Sequence, residues 1–336
     1  MEKRITSKKW KGYLEKRSKK ELKKKQKRNK ERKQNQTSNS KFLTPRNPKN
    51  YQYISAPEIF SFIDNPESLL LYFKTARIEI SNRNQVYLEL SKIKRLSSDA
   101  IALLIATIED PRFHRHLPLS GNAPEDLKLQ TLFIQSGFFK YVQSNAPRVK
   151  TENLLLHTLT KNKVEPLIAK QASLLGIEHT FKNNDIFEPL YEMLIECMSN
   201  TNFHAGLEKQ GKYEWWLYVY KNPENNVTSY SFLDLGVGIF KSIPVKTFVK
   251  ITNFIGFSSN VDLVSPLIQG KIKSRTKEEI RGKGLPQIYS LSKHANIKKF
   301  TIISNDVFAD FDNENYYRLK TSFEGTFLYW ELHPNA

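Results

Sequence analysis

At 336 residues with 39% hydrophobic side chains, the chain is long enough for two domains with substantial cores. Its formal net charge of +19 is unevenly spread: residues 1–50 hold 20 Lys or Arg against 4 Glu, +16 of the +19, which leaves +3 on residues 51–336. The single cysteine, Cys197, excludes an intrachain disulfide framework and a cysteine-based zinc site; with no apolar leader and no uncharged apolar run of about 18 residues, a soluble cytoplasmic protein with no membrane contact is expected.

Residues 8–33 are mostly Lys, Arg, Gln, Asn and Glu, with Trp10, Tyr13 and Leu14 as rare apolar points. Such a stretch cannot bury enough apolar surface to offset the entropy of ordering, so it reads as a mobile or transiently helical arm. Residues 34–50, with Pro45 and Pro48, read as its linker. The charge density over residues 1–50 suits an anionic polymer, DNA or RNA, held by counterion release; a solubilising tail is the competing reading.

Residues 51–146 read as a first folded unit. Residues 76–80 and 85–90 have strand character, with Val86, Leu88 and Leu90 alternating against Tyr87, Glu89 and Ser91. A helix is expected over 97–108, capped by Ser98 or Asp99, with Ile101, Leu104, Ile105 and Ile108 as its apolar face. A turn follows at 121–124, then an apolar segment over 127–142 punctuated by Gly137. This order of elements, carried by VYLELSKIKRLSSDAIALLIA and SGFFKYV, resembles a STAS-like domain, the fold of anti-anti-sigma factors. The resemblance implies a serine at the helix start that a partner kinase phosphorylates, the neighbourhood of Ser97 or Ser98. Leu96 stands where that family has an acidic residue and Asp99 where it has a small glycine, so helix capping is the competing role. Residues 147–184, with apolar points at Leu154, Leu155, Leu167, Leu174 and Leu175, read as a connector that packs the two units together or meets a second copy in a homodimer.

From residue 185 the residues carry chemistry. LYEMLIECMSNTNFHA, residues 190–205, is free of Pro and Gly and sets Glu196, Asn200 and His204 at i, i+4 and i+8, one narrow polar stripe on a helix, with Leu190, Leu194 and Cys197 on another side. A carboxylate one turn before an amide suits a nucleotide: the amide oxygen can hold magnesium and the carboxylate can orient a water. Strands are expected over 213–221 and 228–239, joined by a turn at 222–226. The second ends in Asp234-Leu235-Gly236-Val237-Gly238, where the glycines let backbone approach a flat ligand while Asp234 accepts from an exocyclic amine. After the Lys-rich segment 240–279, hinged at Gly256 and Gly270, comes RGKGLP, Arg281 to Pro286, ahead of a helix over 287–294. Its Gly-x-Gly turn presents backbone N–H groups to an anion, and Lys283 adds a charge. Last, FEGTF at 323–327 introduces the strand FLYWEL.

Glu196 with Asn200 and His204, then DxGxG, RGxGL and a terminal GT, in that order, resemble the N, G1, G2 and G3 boxes of the GHKL ATPase family, over residues 185–333. That family includes DNA gyrase, heat-shock chaperone ATPases, mismatch-repair ATPases, histidine kinases and anti-sigma serine kinases. The resemblance implies an α/β sandwich, helices on one face of a mixed sheet, that binds ATP and magnesium. It assigns Asn200 to magnesium, Glu196 to the attacking group and Asp234 to adenine, with Gly236 and Gly238 making room. Gly282, Lys283 and Gly284 would cradle the phosphates, with Arg281 and Leu285 in the same box. Thr326 would reach the adenine side through water, His204 would be structural, and 240–279 would be a lid that closes over ATP. No GxxxxGK[ST] is present, so this is not a Walker-type site. The activity implied is magnesium-dependent ATP binding and hydrolysis whose lid closure regulates a protein partner or the STAS-like unit. The alternatives are an anti-sigma-type serine kinase and an ATP-gated nucleic-acid module using the basic arm.

Overall fold

A computed structural model describes residues 51–110, 119–136, 138, 154–159, 164–183, 187–204, 214–222, 224–243, 259–272 and 284–334, with backbone only at 119, 154–159 and 202–204. The arm over 1–50 lies outside the described residues. The first strands are β1 (Tyr51–Ser55) and β2 (Ile59–Phe60). Helix α1 (Pro66–Ser81) follows, and it corrects the strand expected at 76–80. The ARIEI window alternates only locally, whereas Leu69, Phe73, Ala76 and Ile80 are buried at helical spacing over the longer run, and Pro66 occupies the first turn, where no amide bond is lost.

Strands β3 (Gln85–Glu89) and β4 (Arg95–Leu96), helix α2 (Ser98–Glu109), β5 (Leu119–Gly121) and helix α3 (Leu127–Gln135) complete this part. β1, β3 and β5 form a parallel sheet in that order, and β2 pairs with β4. Every residue of α2 from Ser98 to Ile108 is buried, which requires cover on all sides. Its N-cap is Ser97, not Ser98 or Asp99, and the Ser97 hydroxyl donates to the Phe60 carbonyl at 3.3 Å. Asp99 instead turns its carboxylate onto the Ser61 hydroxyl (3.3 Å) and the backbone amides of Phe62 and Ile63 (3.2 Å to the latter). Of the expected apolar segment 127–142, the residues after 136 other than Phe138 lie outside the described residues.

The remaining strands are β6 (Leu154–Leu159), β7 (Trp215–Lys221), β8 (Thr228–Asp234), β9 (Ile297–Asp310) and β10 (Asn315–Leu332). They form one sheet in the order β6-β7-β8-β10-β9, antiparallel throughout. The segment read as a connector thus supplies the edge strand β6 and helix α4 (Pro166–Phe181). Helix α5 (Glu188–His204), α6 (Val264–Ile268) and α7 (Gly284–Ser292) complete the set.

Alternation along the strands divides the core in two. Trp215, Leu217, Phe232, Leu328 and Trp330 face a cluster with Ala172 of α4, Leu194 and Met198 of α5 and Ile288 of α7. Trp216, Tyr218, Leu233, Phe327 and Tyr329 face the other way, into one cluster with Ile101 and Leu104 of α2 and Val86 and Leu88 of the parallel sheet. The chain is mixed α/β, with apolar cover on both faces of an antiparallel sheet where helices on one face of a mixed sheet were expected. Residues 49–336 form one compact unit, so a shared core runs across the boundary expected between 51–146 and 185–336. Among the described residues no helix is long and apolar enough to cross a membrane.

Candidate functional site

Helix α5 buries Leu190, Met193, Leu194, Cys197, Met198 and Thr201, a stripe of helical period that seats it on the sheet. Glu196 and Asn200, one turn apart, stand half-buried on its flank. Burial, and then the charge of Glu192, pushes the Glu196 carboxyl above the ordinary carboxylate range, which makes it a better proton acceptor than a free glutamate. Burial drives the Cys197 thiol far up, with Glu196 and Asp234 adding to it, so this cysteine stays protonated and serves as core.

Asp234 ends β8, the central strand, and is 6% exposed. Its ladder partners are Trp215 on β7 and Thr326 on β10, so the threonine of the terminal GT stands directly across from the acid of DxGxG. Asp234 Oδ1 accepts from the Gly236 amide at 2.8 Å, which folds the loop back on the strand end. Gly325, at φ +135°, is where β10 passes this corner: a side chain there would run into the Asp234 carbonyl oxygen.

The loop after Asp234 is splinted by two residues that carry no motif. Asn305 on β9 accepts through Oδ1 from the amides of Phe240 (3.0 Å) and Lys241 (3.1 Å) and donates through Nδ2 to the Val237 carbonyl (2.8 Å). Ser304 Oγ accepts from the Ile239 amide and donates to the Gly325 carbonyl, both at 2.8 Å. Asn305 is in the left-handed region at φ +53°. Sequence reading missed both, because Ser-Asn inside a strand has no local signature and the strand itself was not anticipated.

α7 begins at Gly284, packed so closely on α5 that a Cβ at 284 would overlap Asn200 Oδ1. Between α5, the end of β8 and α7 lies a cavity of about 110 Å³. Asn200, Asp234, Gly238, Gly284, Leu285 and Thr326 line it together, with Cys197, Phe232, Ile288 and Leu328 as apolar wall. Gly236 lies just behind the wall on Asp234, and Glu196 is one helical turn from Asn200, outside the lining. Arg281, Gly282, Lys283 and the His204 side chain lie outside the described residues, as do 244–258 and 273–279 of the expected lid. Ser242, Ile243, Leu267 and Ile272, in the described parts of that lid, reach the same cavity.

An apolar slot with one carboxylate and one hydroxyl at its end suits a flat heterocycle bearing a hydrogen-bond donor. Among the described residues no three of His, Cys, Asp and Glu gather as a metal cage. The available hard donor is the Asn200 amide oxygen, a donor set that fits magnesium, which takes one or two protein ligands and completes its shell with phosphate oxygens and water. No protein-family model matches the chain, and no curated protein matches its sequence.

Proposed function

We propose that the chain is a magnesium-dependent ATP-binding and ATP-hydrolysing protein of GHKL type, whose C-terminal part holds the nucleotide and whose N-terminal part is STAS-like. The observation that carries this is the convergence of Asn200, Asp234, Gly284 and Thr326, drawn from four separated segments, on one cavity. Asp234 would receive the exocyclic amine of adenine, Thr326 would stand beside it, and the apolar wall would hold the ring. Asn200 would hold magnesium, which when bound neutralises phosphate charge. Glu196, with its raised pKa, would orient and deprotonate the attacking water. Closure of the 240–279 segment would transmit occupancy to a protein partner or to the 51–138 region, with which the sheet shares a core.

Equilibrium binding of a fluorescent ATP analogue with and without magnesium tests this. Asn200→Ala should abolish the magnesium-dependent part, and Glu196→Ala should keep binding while hydrolysis stops. Unchanged affinity in Asn200→Ala would sink the reading.

The serine-kinase alternative meets a specific obstacle within the chain. Ser98 Oγ is hydrogen-bonded to Ser229 Oγ at 3.0 Å, and Ser98 is 8% exposed on the sheet face opposite the cavity. Ser97, the other serine at the helix start, is half-buried with its hydroxyl donating to the Phe60 carbonyl, so a phosphoryl acceptor would be Ser97 or would belong to a partner protein. The nucleic-acid alternative rests on residues 1–50 alone.

A further inference from the structure

A second cavity, of about 370 Å³, lies on the other side of the loop that follows Asp234. Its walls are α1, α2, the 235–241 turn and the 321–324 stretch of β10. Three cations from two elements line it, Lys74 and Arg77 on α1 and Lys241 on the turn, against one acid, Glu324. Arg77 is spoken for by Glu324, at 2.6 Å. Lys74 and Lys241 have no ion-pair partner for their ammonium groups among the described residues. The hydroxyls of Thr321 and Ser322 add donors from a further direction.

The mouth is held at two points. Glu67 at the start of α1 accepts from the amides of Lys320 (2.5 Å) and Thr321 (3.2 Å), and the Arg77–Glu324 pair ties the helix to the strand nearly three turns on. The two lysines thus stand, solvent-exposed, on a braced frame around a concave space.

We infer that this cavity binds a small phosphate-bearing molecule. Two ammonium groups on different walls, neither paired with an acid among the described residues, with Thr321 and Ser322 also in the lining, match a compact oxyanion of charge near −2 that accepts from several directions. A long polyanion fits less well, because Glu324 lines the cavity beside the cations and would repel a continuing chain of charge.

The location gives such binding a consequence. Leu235 and Lys241 line this second cavity, whereas Asp234, Gly238, Ile239 and Ser242 line the first. One turn, splinted by Asn305, is the partition between them. An anion that draws Lys241 toward Lys74 acts on the backbone that shapes the first cavity, so the two occupancies are linked. This linkage rests on the nucleotide reading; the anion site itself does not.

The test is amide hydrogen exchange on the full chain titrated with inorganic phosphate, without nucleotide. Exchange in segments 70–80 and 235–243 should slow saturably, by about fivefold or more. In Lys74→Met with Lys241→Met, both exposed positions whose replacement leaves the core intact, the phosphate concentration needed should rise about tenfold. Lys241→Glu alone should abolish the protection. Asn200→Ala should leave it unchanged, so failure of the nucleotide site does not remove this one. Protection confined to residues 1–50, or protection of 235–243 that survives the double substitution, would overturn the inference.

Discussion

Each side of the five-stranded sheet carries a deeply buried aspartate, and the two are used differently. On the side covered by α2, Asp99 is 3% exposed, and its carboxylate is taken up by the hydroxyl of Ser61 and the amides of Phe62 and Ile63. On the α5 side, Asp234 is 6% exposed, bonds the Gly236 amide and borders an open cavity. The difference lies in the surroundings: α2 packs Ile101, Leu104 and Ile105 on its side, whereas α5 and α7 touch closely at Gly284 and Asn200 but leave a cavity beside that contact. A buried acid becomes a candidate ligand contact only where packing stops short of it.

The largest effect expected on this contrast comes from exchanging the acids' roles by mutation. Asp99→Ala strands two backbone amides and a hydroxyl in the interior and should lower unfolding free energy by about 2–4 kcal/mol in urea titrations, with nucleotide affinity per folded molecule unchanged. Asp234→Asn should do the reverse: a stability change of about 1 kcal/mol or less, with ATP-analogue affinity reduced about 100-fold. Similar stability losses from both would erase the distinction. Gly284→Ala is the intermediate case. The new methyl group displaces the Asn200 side chain, and affinity should fall about tenfold while the unfolding midpoint moves little; a normal affinity would show that the close approach of α5 and α7 is not needed.

The smallest effect is in pH dependence. Burial raises the Asp99 carboxyl above its ordinary value, against the hydrogen bonds from the amides of Phe62 and Ile63 that lower it. Between the unfolded and folded values the folded chain holds a proton that the unfolded chain has released, so stability falls as pH rises through that window. Asp99→Asn should flatten this slope in urea titrations across the weakly acidic range, and Asp234→Asn should leave the Asp99 contribution in place.

Much of the α5 side was legible in the sequence. The period of residues 190–201 is long enough to specify a helix, and Asp234, Gly238, Gly284 and Thr326 stood in motifs whose order hinted at a common ligand. The expectation for α1 fails because the five residues of ARIEI alternate locally while the ten helical residues before them set the period. β6 went unread inside an apparent connector, and β9 was missed beside motifs that drew attention elsewhere. The cover given by α2 to the second sheet face was invisible because the near-continuous apolar run in β7 reveals burial on both sides but not by what. Asn305 and Ser304 act through contacts more than 60 residues away, which no local pattern encodes.

The alternation of β8 has an evolutionary corollary. Tyr230, Phe232 and Asp234 point one way, and Leu233 and Leu235 the other. Losing or gaining a single codon between 229 and 234 would turn the acid into the greasy layer under α2 and push a leucine into the ligand slot, ruining both compartments at once. Length variation among descendants of this chain should therefore gather in the hairpin tip at 222–227 and spare the strand itself.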